Sequence, residues 1–285
     1  MATVAERLAT ARQRLEEAGL RPAAARLDAE VLARHALGWD RAALISRGRE
    51  VEPDGFSDTF DELIARRAAR EPVAQIRGLR EFWGLDFEVS RDVLTPRPET
   101  ELIVEEALAF AAEYPCRRVV DVGTGSGCVA VSIAHSHPEL DVYAIDISPD
   151  ALAVARRNAA RHAVDSRIVF LEGDLLAPFT DRADLIVANP PYVPDKDAGH
   201  MQPEVVSHEP HMALFGGPSG LDVARRLLTQ APAHLAAGGR LIVEFGFGQE
   251  PELTELAEVA GWRVIRVRED VQGIPRTLVL AREAS

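Results

Sequence analysis

From Arg117 onward the chain alternates short apolar runs with helical stretches, and no other feature constrains its fold as strongly. The runs are Val119–Val122, Val142–Ile147, Ile168–Leu171, Leu185–Ala188, Leu241–Phe245, Val264–Val267 and Thr277–Ala281. Helical segments separate the first five: Val129–His135, Ala151–Arg161, a short interval around Ala177, and Leu221–Leu235. Continuous apolar strands joined by helical crossovers predict an α/β fold, a mostly parallel sheet covered on both faces. Gly273 and Pro275 lie between the last two runs, which are too close for a helical crossover. That final pair is therefore expected to be antiparallel. Sheets of this kind bind ligands beyond the carboxyl ends of their strands.

The preceding residues follow another pattern. From residue 3 to about 71, Ala5, Leu8, Ala11, Leu15 and then Ala25, Leu27, Ala29, Val31, Leu32 and Leu37 recur near helical spacing. Pro22 reads as a helix start, and Gly19 and Gly38 as stops. Glu71-Pro72 ends this region. Phe82, Trp83, Leu85, Phe87 and Val89 then partly alternate, punctuated by Gly78 and Gly84, which predicts a β-hairpin. The expected organisation is a helical domain over 1–72, a hairpin linker over 73–95 and the α/β domain over 96–285.

Charge is unevenly spread. Residues 1 to 82 carry 14 Arg against 14 Asp and Glu, so the whole net charge of −13 falls on the remainder. An acidic α/β domain repels polyanions, and no direct nucleic-acid binding is expected. No run approaches the roughly 18 apolar residues that span a bilayer. Glu6, Arg7, Arg12 and Arg14 interrupt any apolar leader, so a signal peptide is not expected. Cys116 and Cys128 are too few for a disulfide framework, and neither they nor the histidines show metal-ligand spacing. The expectation is a cytoplasmic, metal-free, monomeric protein.

The first strand of the α/β region runs into Gly123-Thr124-Gly125-Ser126-Gly127. Glycines let backbone approach a ligand closely and adopt positive φ. The spacing is G-x-G-x-G, with Cys128 where a dinucleotide fingerprint has its third glycine, and without the lysine of a P-loop. Asp121, Gly123, Thr124, Gly125, Ser126 and Gly127 are the candidate cofactor contacts here. Asp146 ends the second strand, 23 residues after Gly123, where a carboxylate accepts both hydroxyls of a ribose. The third strand ends at Glu172-Gly173-Asp174; Asp174 is a candidate acceptor for an adenine amino group, with Leu175 against the ring. Three such features at the ends of three successive strands specify a nucleoside cofactor better than any one.

The fourth strand leads directly into Asn189-Pro190-Pro191-Tyr192. Two prolines fix φ and remove two donors, and Pro190 holds Asn189 extended. The outcome is a rigid loop presenting acceptors. An amide or exocyclic amino nitrogen is a poor nucleophile because its lone pair is delocalised. Two acceptors, the Asn189 side-chain oxygen and the Pro190 carbonyl, suit both of its N–H groups. They favour the pyramidal, positively charged nitrogen that develops during methyl transfer. The Tyr192 ring is placed to lie against a planar substrate. Asn189, Pro190 and Tyr192 are thus the candidate catalytic residues, with Pro191 beside them at the substrate.

With these residues the chain resembles the glutamine methyltransferases of bacterial peptide chain release factors. The resemblance extends over nearly the whole chain. It rests also on Phe82-Trp83-Gly84-Leu85, Leu94-Thr95-Pro96-Arg97-Pro98-Glu99-Thr100-Glu101, Glu209-Pro210, Ala213-Leu214, Gly216-Gly217, Gly220-Leu221 and Glu244-Phe245-Gly246. It implies a seven-stranded class I (Rossmann-like) methyltransferase domain behind a helical N-terminal domain that helps hold the protein substrate. It implies S-adenosylmethionine as cofactor, S-adenosylhomocysteine as product, and N5-methylation of the glutamine in a release factor's Gly-Gly-Gln loop. Asn189 then also faces the cofactor, and Arg97 and Glu99 join the substrate contacts. Asn-Pro-Pro-Tyr alone is shared with adenine-N6 nucleic-acid methyltransferases, and a ribosomal-protein glutamine methyltransferase is a further alternative.

Overall fold

The computed structural model describes residues 2–282. Local signals set the first helices. Helix α1 (Val4–Glu17) opens on a capping box, in which the Thr3 hydroxyl accepts from the Glu6 amide and the Glu6 carboxylate accepts from the Thr3 amide. Helix α2 (Pro22–Leu37) starts on its proline and stops at Gly38, which is left-handed. Asp40 caps α3 (Arg41–Arg47), and α4 (Phe56–Ala68) and α5 (Val73–Arg77) follow. Leu15, Leu32, Phe60, Ile64 and Ile76 form their common core.

These helices make up a compact unit, Met1–Gly78, that also takes in Gln202–His208 from far along the chain. Glu204, in the short helix α9 (Pro203–His208), explains the recruitment. Its carboxylate binds Arg67 at 3.0 Å and Arg70 at 2.8 Å, while Arg67, itself buried, also holds Asp28 at 2.7 Å. The boundary therefore falls at Gly78, not at residue 72. Val73–Arg77 is helix because Ile76 packs into the helical core, and the hairpin occupies only β1 (Leu79–Phe82) and β2 (Leu85–Glu88). Trp83 and Gly84 turn that hairpin with both φ positive, the geometry a two-residue loop needs to match strand twist.

The second unit comprises Leu79–Met201 and Glu209–Ser285. After the hairpin come α6 (Glu101–Glu113), β3 (Arg118–Val122), α7 (Cys128–Ser136), β4 (Asp141–Asp146), α8 (Pro149–Arg161), β5 (Ile168–Glu172) and β6 (Ala183–Ala188). Then follow α10 (His211–Leu214), α11 (Asp222–His234), β7 (Leu235–Glu244), α12 (Glu250–Val259), β8 (Trp262–Glu269) and β9 (Pro275–Arg282). Seven strands form one sheet in the order β5-β4-β3-β6-β7-β9-β8. All pairings are parallel except those of β9, which runs antiparallel to both β7 and β8. The expected architecture and its antiparallel last strand are both present.

Two apolar layers cover this sheet. Ile103, Val104, Ile133 and Ala134 pack on one face with Val119, Val142 and Val187. Leu227, Leu228, Leu253 and Trp262 pack on the other with Val120, Ile186 and Leu241. The expected helix around Ala177 is absent, and residues 173–178 form turns and bends. Leu175 there has φ 51°, which a helix does not tolerate, and Pro178 offers no amide donor. Helices α6 and α12 were not expected from the sequence. The chain leaves β3 toward β4 and later returns to the opposite side of β3 as β6, so the strand order reverses there. Such a reversal opens a crevice at the carboxyl ends of the strands.

Candidate functional site

That crevice is an open cavity of about 280 Å³. It is lined by Asp121 to Ser126 from the end of β3 and the turn after it, Asp146 from β4, Gly173 to Leu175 after β5, and Asn189 and Pro191 after β6. Val93, Leu94, Pro96, Arg97 and Thr100 close one side. The separate sequence signals thus meet in one place.

The glycine turn is built around two buried carboxylates. Gly123, Gly125 and Gly127 all have positive φ, between 56° and 80°. A Cβ on Gly127 would also press on Ala155 at 3.0 Å, so helix α8 packs directly against the turn. Asp121 supports the turn from below: it accepts from the Thr124 hydroxyl at 2.6 Å and the Ala130 amide at 3.1 Å. Burial raises its pKa to about 7. Asp146 accepts from the Gly125 amide at 2.8 Å and the Ser148 amide at 2.9 Å, one on each oxygen. Burial raises its pKa too, and these amides pull it back. Each carboxylate oxygen holds more than one acceptor position, so Asp146 keeps capacity for a pair of hydroxyls. Asp121, Gly123, Thr124, Gly125, Ser126 and Asp146 therefore come together beside open space, while Gly127 packs against α8.

Asp174 lines the cavity as well. Its carboxylate is paired with Arg226, which also lines the cavity. An adenine amino group would have to share it with that guanidinium. Leu175 lines the same end in a left-handed conformation that costs about 1–2 kcal/mol for a residue with a Cβ.

The Asn189-Pro190-Pro191-Tyr192 loop is held by residues distant in sequence. The Asn189 side-chain nitrogen donates to the Thr100 hydroxyl at 3.1 Å, which leaves its oxygen as the free end. Gln249 donates to the Tyr192 carbonyl at 2.8 Å and accepts from the Gly246 amide at 2.7 Å. Gly216 and Gly220 press on the loop so closely that a Cβ on either would fall within 2.4 Å of the Pro191 or Tyr192 carbonyl oxygen. Gly127, Pro190, Tyr192 and Glu99 are not among the cavity-lining residues, whereas Asn189, Pro191 and Arg97 are. Arg97 is bound to the buried Glu209 at 2.6 Å, joining the Pro-Arg-Pro-Glu stretch to Glu209-Pro210. Burial pushes the Glu209 carboxyl up and the guanidinium opposes it.

Thr100, Gln249 and Arg226 were not singled out as site residues from the sequence. Asn158 was also missed. Fully buried, its amide nitrogen donates to the Ser126 and Glu88 carbonyls and its oxygen accepts from the Glu88 amide, tying the hairpin to the glycine turn. Among the described residues no cluster of three or more His, Cys, Asp or Glu side chains is placed to hold a metal ion. None of the described helices is long and apolar enough to cross a membrane.

Two family profiles match this chain: the PrmC N-terminal domain over residues 6–78 and the Methyltransferase small domain over residues 100–217. A methyltransferase from Pyrococcus furiosus shares the fold, at a TM-score of 0.53 and 19% identity, over 76% of this chain and 95% of that one. Full-length relatives are far more similar in sequence. The release factor glutamine methyltransferase of Cereibacter sphaeroides is 44% identical over 98% of both chains. The enzyme of the same name from Geobacter sulfurreducens is 43% identical over 89% of this chain and 88% of its own. With both domains matched and identity at this level from end to end, the chain belongs to the release factor glutamine methyltransferase family.

Proposed function

We propose that this enzyme transfers the methyl group of S-adenosylmethionine to the side-chain amide nitrogen of the glutamine in the Gly-Gly-Gln loop of class 1 release factors, in the cytoplasm. The observation that supports it most directly is the orientation of Asn189. Its nitrogen is engaged by Thr100, so the end left for a substrate is an acceptor, as an incoming NH2 group requires.

The cavity residues suit the cofactor. Asp146 retains acceptor positions for vicinal ribose hydroxyls, and Ile147 and Leu175 offer apolar surface to a flat ring. A Cβ on Gly123 or Gly125 would meet no heavy atom within 4 Å, so the turn leaves open space for a ligand beside its backbone. When bound, S-adenosylmethionine supplies an electrophilic methyl group on a sulfonium and leaves as S-adenosylhomocysteine. The chain's own residues do the rest. The Asn189 oxygen and the Pro190 carbonyl accept the two N–H groups of the substrate amide. These bonds strengthen as the nitrogen gains positive charge, which lowers the barrier without a strong base, and one of the two N–H protons then leaves to solvent to give the neutral N-methylamide. Tyr192 packs along the amide plane. Burial raises its hydroxyl pKa above the usual phenol value, so it acts as a neutral ring. The helical unit, which carries none of the cavity-lining residues, holds the body of the protein substrate.

Asp146→Ala is expected to weaken S-adenosylmethionine binding at least roughly tenfold, since hydrogen bonds to a charged group are worth about 1.5–3 kcal/mol each. Circular dichroism should remain that of the native fold. Calorimetry giving an unchanged affinity would remove Asp146 from the cofactor site. The function itself is tested by labelled-methyl transfer to three purified acceptors: a release factor, a ribosomal protein and adenine-containing DNA. Label is expected on the release factor. Label on either of the others in its place refutes the assignment.

A further inference from the structure

Phe247 is the most exposed aromatic side chain among the described residues, at 78%. Single apolar residues are common on a protein surface, so exposure alone marks nothing. Its attachment does. Phe247 follows β7 in a tight turn that the Gln249 amide closes on the Gly246 carbonyl at 3.1 Å. Gly248 stands third in that turn at φ 78°, a position that a turn of this hand gives to glycine. The Gln249 side chain then ties the turn to the loop 189–192. Its oxygen accepts from the Gly246 amide at 2.7 Å, and its nitrogen donates to the Tyr192 carbonyl at 2.8 Å. The turn also reaches the Tyr192 ring, since a Cβ on Gly246 would lie 3.0 Å from Cδ2. The next residue along, Phe247, is therefore held in fixed register with the ring on which the acceptor amide is proposed to pack, and its own ring is left in water.

Strand order gives the turn its side of the loop. The cavity is lined from the ends of β3, β4 and β5, on one flank of β6, and β7 lies on the other flank. No residue from 244 to 249 lines the cavity. With the cofactor over β3 to β5, the flank of the loop left open is the one beside β7. A protein that lays a glutamine on the loop brings the residues next to that glutamine there. Gly246, Phe247 and Gly248 carry no charge, and the ring is the only side chain they offer, so the group that suits it is apolar. We propose that Phe247 is a specificity contact for the release factor, covered in the complex by an apolar side chain beside the acceptor glutamine. This rests on the proposed methyl transfer to a release factor, and it adds a docking residue on the catalytic unit that the cofactor does not touch.

The test uses the full chain with purified release factor. Phe247→Ala is expected to raise KM for the release factor about tenfold, the order of affinity that burying an aromatic ring supplies. The kcat value should stay near wild type, the pattern of a contact made equally in the ground and transition states. Calorimetry of release factor binding to enzyme loaded with S-adenosylhomocysteine should show the same loss in Kd. Phe247→Leu should recover most of both. Val259→Ala is the control. Val259 is 84% exposed, but it ends α12 at the amino ends of the parallel strands, and its loss should change neither constant. Cofactor affinity and thermal unfolding should be those of wild type in all three variants. A Phe247→Ala enzyme with wild-type KM and Kd overturns the proposal. So does a loss confined to kcat, which would make the turn a brace for the loop, and so does an equal loss in Val259→Ala. A wild type that needs Phe247 to bind release factor, yet transfers no methyl group to it, refutes the proposed reaction and leaves the contact standing.

Discussion

Asn189→Ala is expected to lower the methyl-transfer rate about 100- to 1000-fold, the usual cost of losing one preorganised transition-state partner. The acceptor lost is the side-chain oxygen left free by the bond from its nitrogen to Thr100. Cofactor affinity should change much less, because Asp146 and the glycine turn lie on other strands. Stability should change modestly, since Gln249, Gly216 and Gly220 still hold the loop backbone. Single-turnover rates with saturating cofactor and release factor decide the matter. A folded variant reacting at the wild-type rate would make the loop a structural element and end this mechanism.

Gly216→Ala should be nearly as damaging although it touches no substrate. An added methyl would sit 2.4 Å from the carbonyl oxygens of both Pro191 and Gly220. Neither is a side-chain end that rotates away, so the Pro191 backbone must move. Displacing a reacting group by about 1 Å costs on the order of 100-fold in rate. We expect that loss in kcat, a destabilisation of about 1–3 kcal/mol from overpacking, and cofactor affinity within a few-fold of wild type. Thermal unfolding and single-turnover kinetics on the same preparation separate the effects. A variant that is stable and fully active would mean that the loop tolerates displacement, and that its close packing has no catalytic purpose.

The clash at Gly216 also shows where the sequence stops being readable. Gly216-Gly217 stood out only through the family resemblance, because nothing local tells a glycine in a turn from one pressed against a loop 25 positions earlier. The strands were legible because a sheet buried on both faces demands unbroken apolar runs, as in Leu185–Ala188. Strand β7 begins earlier than expected, at Leu235, because Ala236 to Gly239 carry no apolar pattern although their backbone continues the strand. Helix α12 was missed for a related reason: only Leu253 and Ala257 are buried along it. Asp146 was legible from its place at a strand end. Thr100 was not, since it meets Asn189 across 89 positions and no periodicity records that meeting. Asp174 was read as an acceptor for an adenine amino group without Arg226, its partner 52 positions away. The boundary at Gly78 and the recruitment of Gln202–His208 depend on Arg67 and Arg70 meeting Glu204, again a pairing made only by the fold.

The Asn189 acceptor is expected to act on a glutamine side-chain amide of a release factor. Its most direct test is peptide mass spectrometry of release factor incubated with the enzyme and S-adenosylmethionine. The expected result is the mass of one methyl group on the tryptic peptide carrying Gly-Gly-Gln, with fragment ions placing it on the glutamine side chain, and no such product with Asn189→Ala. A methyl group on another residue, or an unmodified Gly-Gly-Gln peptide with active, cofactor-bound enzyme, would show that Asn189 does not act on that glutamine.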